Sequence, residues 1–434
     1  METFLPSILP DAFSGALFAL EGIKDSIVVL NGPTGCKFYH AAVSGDQLCR
    51  GFSYDPVSNP ERYYFRQNRI PCTFLDDHDF VYGAKEKLEG VLNFIKEDQF
   101  NYLALVNSPG AALIGDDLEA YFRNAYPDLA GVCIENTGFS APFHQGFSDT
   151  LLQVLQSLAP QQKSKTDPRS VNLVGISIYH KYFEGEVQEM KRLLSLCGIS
   201  VKTTMLAGDS TAQLSRFAEA ELNIILQPEF GKPAAMWMEK EYGIPYLEQE
   251  TGMCIGFDAT ESLVLSVCKQ LGVDFHAALE DIKRARARAF ANIYSFNSLT
   301  GLPKGAYFSI KAEASFAYSM THFLYSYLGM LPECIDLIDV IPNDPYQKKL
   351  LQFLEEKDLG DRLGSVGKLE LSSLLLADAN SIAQTQLQND NLFGIEISLP
   401  GFGYTHVIPR ALTGVSGCLY LLEQIINGLR FIKR

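Results

Sequence analysis

Leu30-Asn31-Gly32-Pro33-Thr34-Gly35-Cys36-Lys37-Phe38-Tyr39 is the stretch on which the reading of this chain turns. A short apolar run, residues 27–30, feeds a Gly-Pro-x-Gly turn, and a cysteine stands where the next helix should begin. Gly32 and Gly35 can take backbone angles barred to other residues, and Pro33 fixes its own φ. The turn is therefore sharp and leaves the thiol at a helix N-terminus. The helix dipole and unpaired N–H groups there favour a thiolate, the form that binds metal or attacks electrophiles. Cys36 is thus either an iron–sulfur ligand or a small buried residue packed beneath a tight turn.

Composition narrows the field. With 434 residues there is chain enough for about three domains. A hydrophobic content of 47% against 20% charged residues builds sizeable cores rather than a disordered chain. The net charge of −15 argues against extended nucleic-acid contact, which needs clustered Lys and Arg. The one basic cluster, Lys283-Arg284-Ala285-Arg286-Ala287-Arg288, reads as a solvated helix face. The start, Met1-Glu2-Thr3-Phe4-Leu5, carries no signal-peptide pattern, and no apolar run reaches the roughly 18 residues of a membrane span. The nine cysteines are an odd number at scattered spacings and include no CxxC pair, so a disulfide framework is not expected. A cytoplasmic, reducing location suits them, and an oxygen-sensitive thiolate site would survive there.

Strand-like and helix-like segments alternate along most of the chain. Residues 102–106, 171–178, 201–205 and 222–226 read as strands. Residues 183–197 read as an amphipathic helix stopped by Gly198, and 236–242 as a helix ending at Gly243. The polar segment 161–168 marks a first domain boundary. A helical pattern over 274–296 breaks at 297–303. A third unit follows, with strands at 307–310 and 372–377. This β-α-β rhythm predicts an α/β fold with parallel sheets: three Rossmann-like domains, 1–165, 166–296 and 297–434, around a central cleft. No sequence repeat links the three. Gly401-Phe402-Gly403 is a fragment of a dinucleotide fingerprint, but His406 stands in place of its third glycine. There is no GxxxxGK[ST] loop, so ATP hydrolysis is not expected of this chain.

Six segments in register resemble the component 1 family of nitrogenase-like oxidoreductases. They are Gly22-Ile23-Lys24-Asp25 with the Gly32 to Cys36 turn; Asp79-Phe80-Val81-Tyr82-Gly83; Leu113-Ile114-Gly115-Asp116-Asp117-Leu118; Asn136-Thr137-Gly138-Phe139; Met238-Glu239-Lys240-Glu241-Tyr242-Gly243-Ile244-Pro245; and Gly414-x-x-Gly417 with Leu421-Leu422-Glu423. The resemblance implies α- and β-type subunits of three Rossmann-like domains each, with iron–sulfur clusters within and between subunits. It also implies three cysteines per chain on the interface cluster. Cys36 fills the position after the Gly-Pro-x-Gly turn, but Pro10 and Pro109 fill the other two, and proline offers no thiolate. The cysteine and histidine that anchor the family's catalytic cofactor fall here on Gln227 and Thr413, so dinitrogen reduction by this chain alone is not expected.

The resemblance therefore implies a β-type subunit. It would lend Cys36, flanked by Gly35, to a [4Fe–4S] cluster shared with an α-type paralogue, and receive electrons from an ATP-dependent iron protein. The alternatives are a non-catalytic maturation scaffold holding a cluster precursor, or a cluster-free structural subunit. Cys72 is either a second ligand, in which case two copies of Cys36 and Cys72 complete a set of four in a homodimer, or a small strand residue. Cys49 is a further, weaker candidate. His40, one turn beyond Cys36, could tune the cluster or relay a proton. Cys133, Cys197, Cys254, Cys268, Cys334 and Cys418 read as core. Asp76, Asp77, His78 and Asp79 read as a turn capping the helix after Gly83, and Asp116 and Asp117 as helix-start residues. His144, His180, His276 and His322 stand alone, and His406 is placed beside the cleft.

Overall fold

Short, continuously apolar strands that pair in parallel must be covered on both faces, and this requirement organises the molecule. The computed structural model describes residues 10–44, 63–65, 67, 69–138, 141–161, 165–300 (backbone alone for 295–300), 303–364, 369–400 and 407–431. Cys49, Phe139 and the Gly401-x-Gly403 turn with His406 lie outside them, as do Met1 to Leu5.

The chain runs α1 (Ala12–Glu21), β1 (Ser26–Asn31), α2 (Thr34–Ser44), α3 (Asp77–Tyr82), α4 (Lys85–Phe94), β2 (Tyr102–Asn107), α5 (Leu118–Ala125), β3 (Gly131–Ile134) and α6 (Phe143–Ser157). It continues β4 (Ser170–Val174), α7 (Phe183–Leu196), β5 (Ser200–Thr203), α8 (Thr211–Leu214), β6 (Leu222–Ile225), α9 (Pro228–Tyr242), β7 (Tyr246–Glu248), α10 (Phe257–Leu271) and α11 (His276–Thr300). The last part is β8 (Tyr307–Ala312), α12 (Ala314–Leu328), β9 (Leu331–Leu337), α13 (Pro345–Glu355), β10 (Ser372–Ala377), α14 (Ala379–Gln386), β11 (Phe393–Glu396) and α15 (Gly414–Phe431). Helix α9 starts eight residues before the 236–242 segment read from sequence, and α11 runs on to Thr300 through part of the expected break.

Three wholly parallel sheets result, in the orders β1-β2-β3, β5-β4-β6-β7 and β11-β10-β8-β9. A fourth extended segment lies along the free edge of β1. Val28 N–H donates to Arg69 O and Leu30 N–H to Pro71 O, both at 2.9 Å, and Thr73 N–H returns to Leu30 O at 3.1 Å. With that segment counted, all three sheets share one order: second, first, third, fourth. Side chains alternate across the buried strands. Ile27, Val29, Leu103 and Leu105 pack under α4 and α5, whereas Val28, Leu30, Ala104 and Val106 join the large core shared by all three sheets.

The shared order carries a shared polar ladder. In the first sheet Thr73 Oγ1 donates to Asn31 Oδ1 (2.9 Å), and Asn31 Nδ2 to Asn107 Oδ1 (2.8 Å). In the second, Thr203 Oγ1 donates to Asn172 Oδ1 (2.9 Å), and Asn172 Nδ2 to Asn223 Oδ1 (2.8 Å). The third keeps one rung, Ser309 with Ser372 at 2.7 Å. The units are therefore structural repeats whose signature is three residues spread over three strands. Among the described residues no helix is long and apolar enough to cross a membrane.

Candidate functional site

Ligand crevices in open parallel sheets form outside the carboxyl ends of the strands, where the strand order reverses. In the first sheet that point lies between β1 and β2, and Cys36 occupies it. The chain leaves β1 through Gly32-Pro33 and turns straight into α2, with Cys36 N–H donating to Pro33 O at 3.1 Å. Cys36 is thus in the first turn of α2, as the sequence implied, and its thiol is half-buried against Ser108, the residue after β2.

Two expectations at this turn change. Neither Gly32 nor Gly35 has a positive φ. Gly32 is required by crowding instead, because a Cβ there would meet Ser108 Oγ at 2.7 Å. Gly35 is the opposite case, with nothing among the described residues within 4 Å of a built Cβ. Nor is the Cys36 thiol lowered. Burial raises it above the ordinary thiol range, outweighing the Ser108 hydrogen bond, and the nearby Asp11 carboxylate adds to the rise. The two prolines of the family pattern are in place around it, since Pro10 precedes Asp11 and Pro109 follows Ser108.

Cys72 is brought near Cys36 but is buried. Its thiol donates to Gly32 O (3.3 Å), accepts from Phe74 N–H (3.4 Å), and is pushed up to about 11 by burial. The strand-residue reading describes its packing in full, and the structure also sets it beside Cys36. His40 faces inward, with Nε2 2.6 Å from the Glu21 carboxylate and its ring edge-on to Phe18. Lys37, fully buried, donates to Ile70 O. Together these bonds anchor α2 on α1 and on the extended edge segment. Among the described residues no three His, Cys, Asp or Glu side chains converge as a metal set.

Exposed aromatic rings stand on α2 and on the segment before the edge strand. Phe38 is 58% exposed and packs edge-on to Phe65, and Tyr64, 63% exposed, does the same to Phe74. Tyr64, Phe65 and Phe74 all hold positive φ, between 52° and 63°, a strained backbone for aromatic residues. The acidic run has a different task from the one read in sequence. Asp76 and Asp79 form a capping box on α3, ahead of Gly83. Asp117 caps α5, while Asp116 accepts from Ala84 N–H at 2.9 Å and so ties down the start of α4. Of the cysteines read as core, Cys197, Cys254, Cys268 and Cys418 are buried; Cys133 and Cys334 are half-buried.

The second crevice of interest lies between the second and third sheets, and sequence reasoning passed over most of its residues. It is a cavity of about 20 Å³, lined among others by His180, Glu186, Gln227, Glu313 and Ser398, with room for a single water. Burial pushes Glu186 up to about 7 and Glu313 up to about 8, so both carboxyls tend to hold a proton near neutrality, and it pushes His180 down to about 4. His180 Nε2 is sealed from solvent without a hydrogen-bond partner among the described residues. Glu229 beneath them accepts from Ser315 N–H (2.8 Å) and Oγ (2.7 Å). Gln227 lines this cavity and Thr413 is buried next to Leu412 of its wall, so the two positions implied for a catalytic cofactor are at the cleft. Neither residue type ligates iron, and the volume admits no metal cluster. Each acid follows a helical or strand-end pattern, so nothing local in the sequence marked it.

Comparison with known proteins agrees with this architecture. The profile of the family described as "Nitrogenase component 1 type Oxidoreductase" matches residues 12–429. The chain is similar to the B subunit of light-independent protochlorophyllide reductase from Chlorokybus atmophyticus, 23% identical over 407 residues, covering 90% of this chain and 74% of that one. The corresponding B subunit from Synechococcus sp. (strain WH7803) is 30% identical over 252 residues, 54% of this chain and 47% of the relative. With such relatives the match spans about half of their length. Among solved structures, Nitrogenase Cp1 at pH 6.5 superposes with a TM-score of 0.75 at 16% identity, covering 96% of this chain and 91% of that chain. With the Gly-Pro-x-Gly-Cys crevice in place and the profile spanning nearly every element, the chain belongs to the nitrogenase component 1-type oxidoreductase family.

Proposed function

We propose that this chain is the β-type subunit of a nitrogenase-like iron–sulfur reductase. It lends Cys36 to a [4Fe–4S] cluster shared with a paralogous α-type subunit, and the pair receives electrons from an ATP-dependent iron protein. The observation that carries this reading is the position of Cys36: a half-exposed thiol at a strand-order switch point, in a helix that also carries the exposed ring of Phe38. Exposed apolar surface of this kind marks a face that another protein covers. A bound cluster would supply one-electron storage. The chain's own part is to hold the thiol, exclude water with its aromatic rim, and set the cluster's surroundings through Ser108, Cys72 and the buried His40–Glu21 pair. Cys72 is a further candidate ligand, and Gly35 the clearance beside it. Relatives named as one lettered subunit of a reductase belong to multi-subunit enzymes by that name, which supports a subunit's role here. The domain limits 1–165, 166–296 and 297–434 and a cytoplasmic location are part of the same proposal.

A second reading, a maturation scaffold that holds a cluster precursor without catalysis, draws on Pro10 and Pro109, which leave this chain a weak hold on any cluster. One experiment separates them. Iron, acid-labile sulfide and EPR are measured on oxygen-free protein, alone and with the paralogue, for wild type and Cys36→Ala. A reductase subunit gains an EPR-active cluster with its paralogue that Cys36→Ala loses or alters and that the iron protein reduces. A scaffold gains a cluster that passes to an acceptor protein and is not reduced. Wild type without iron in either state refutes both.

A further inference from the structure

A second cavity, independent of the cluster, is built differently from either crevice. It lies between the loop leading into α10 and the face of α12, has a volume of about 130 Å³, and is lined by Phe257, Tyr318, Phe323 and Tyr327 with Asp258 and His322. That is the scale of a cavity that takes one small ring or one quaternary ammonium group. The walls are rigid. Gly256 holds φ +93°, and a Cβ there would meet Phe323 Cδ2 at 2.9 Å, while Met253 N–H is fixed to Ser319 Oγ at 2.7 Å.

Two features say what it takes. Phe323 and Tyr327, one turn apart on α12, are stacked, with ring centroids 5.5 Å apart and planes 13° from parallel, and Phe257 stands at 59° to Tyr327. Walls meeting at such an angle surround a rounded group rather than sandwich a flat one. The rim has spare negative charge, because a single guanidinium, Arg286, serves both Asp258 (2.7 Å) and Glu261 (3.1 Å). Arg286 itself sits 5.8 Å from the Phe257 ring centroid, so that ring already attracts one cation. We propose that this cavity is a binding site for a small alkylammonium cation, held by the faces of Phe257, Phe323 and Tyr327 and by the Asp258 carboxylate.

The test is a calorimetric or ligand-observed NMR titration of the full chain with choline and with its uncharged dimethylbutanol isostere. The expected result is at least about tenfold preference for the cation, lost in Tyr327→Leu and weakened several-fold in Asp258→Asn. Asp258 is on the surface, so Asp258→Asn keeps the test usable if Tyr327→Leu folds poorly. Equal binding of the two probes, no binding of either, or choline binding unchanged by Asp258→Asn each overturns the proposal.

Discussion

The rim at Cys36 and the junction between the second and third sheets are the same crevice of the same repeat, and they end in opposite states. In the first sheet the residues at the switch point are Cys36 after β1 and Ser108 after β2. In the second they are His180 after β4 and Gln227 after β6, and in the third Glu313 after β8. Each lies at carboxyl ends of parallel strands, where such folds bind ligands. The first crevice faces outward, with an open side at Gly35 and an aromatic border. The second and third face each other and close to about 20 Å³ over carboxyls with raised pKa values. The difference teaches that orientation of the crevice, rather than its construction, decides whether chemistry can occur there. The rim leaves its thiol half-exposed, whereas the junction is buried with the core.

If this contrast is right, substitutions at the two crevices differ in size as well as kind. Gly175 follows β4 as Gly32 follows β1. It holds φ +97°, and a Cβ there would lie 2.3 Å from the backbone O of Gln227, which cannot move without β6. Gly175→Ala should therefore be the most damaging change, costing about 4 kcal/mol in denaturant unfolding. Gly32→Ala meets no backbone atom: Ser108 Oγ at 2.7 Å and Leu30 Cδ2 at 2.9 Å can rotate aside, and Ser108 Cβ at 2.8 Å yields by a small shift of the segment after β2. Its cost should be about 2 kcal/mol or less. Equal costs at the two glycines would mean the junction is no tighter than the rim.

The junction also carries a pH signature in the neutral range. Glu313 is raised to about 8 and Glu186 to about 7 in the folded protein, against the ordinary carboxyl value they regain on unfolding. The folded state holds protons that the unfolded state releases. Their contribution to stability is complete below the ordinary carboxyl range and is lost as pH rises through 7 and 8. Between those limits each group should lower stability by up to about 1.4 kcal/mol per pH unit. Glu313→Gln keeps the shape without the proton, so its melting temperature should overtake that of wild type as pH rises from 5 to 8. Parallel pH profiles would show that the junction is open to water.

What sequence could and could not reveal follows from the same geometry. The run at 27–30, the Gly-Pro turn and the alternation of strand and helix were legible because buried parallel strands are short and continuously apolar. Cys36 was legible through its turn. The repeat was not, because Thr73, Asn31 and Asn107 meet only across strands and are polar residues in otherwise unlike segments. The start of α9 was hidden by Pro233 inside the helix and by Gly231, which is there because a Cβ would strike Val174 Cγ1 at 2.6 Å. The thiolate expectation failed for a tertiary reason: the helix terminus is a local effect, whereas burial and Asp11 come from elsewhere in the fold. The acids of the junction were invisible because three distant segments supply them.

The smallest effect on folding is also the sharpest test of the rim. Gly35→Ala adds a methyl group where nothing among the described residues stands within 4 Å, in the first turn of α2. Alanine is the better helix former, so the isolated chain should be unchanged or more stable by about 0.5 kcal/mol. A glycine with no internal reason to be glycine is explained if something outside the chain approaches its backbone. In that case the variant, though soundly folded, should take up less iron with its paralogue or bind the paralogue more weakly. Full iron content and unchanged association in Gly35→Ala would remove the close approach from the rim. Cys36 would then be left as a thiol exposed by the turn, and its likeness to the closed junction would outweigh the difference.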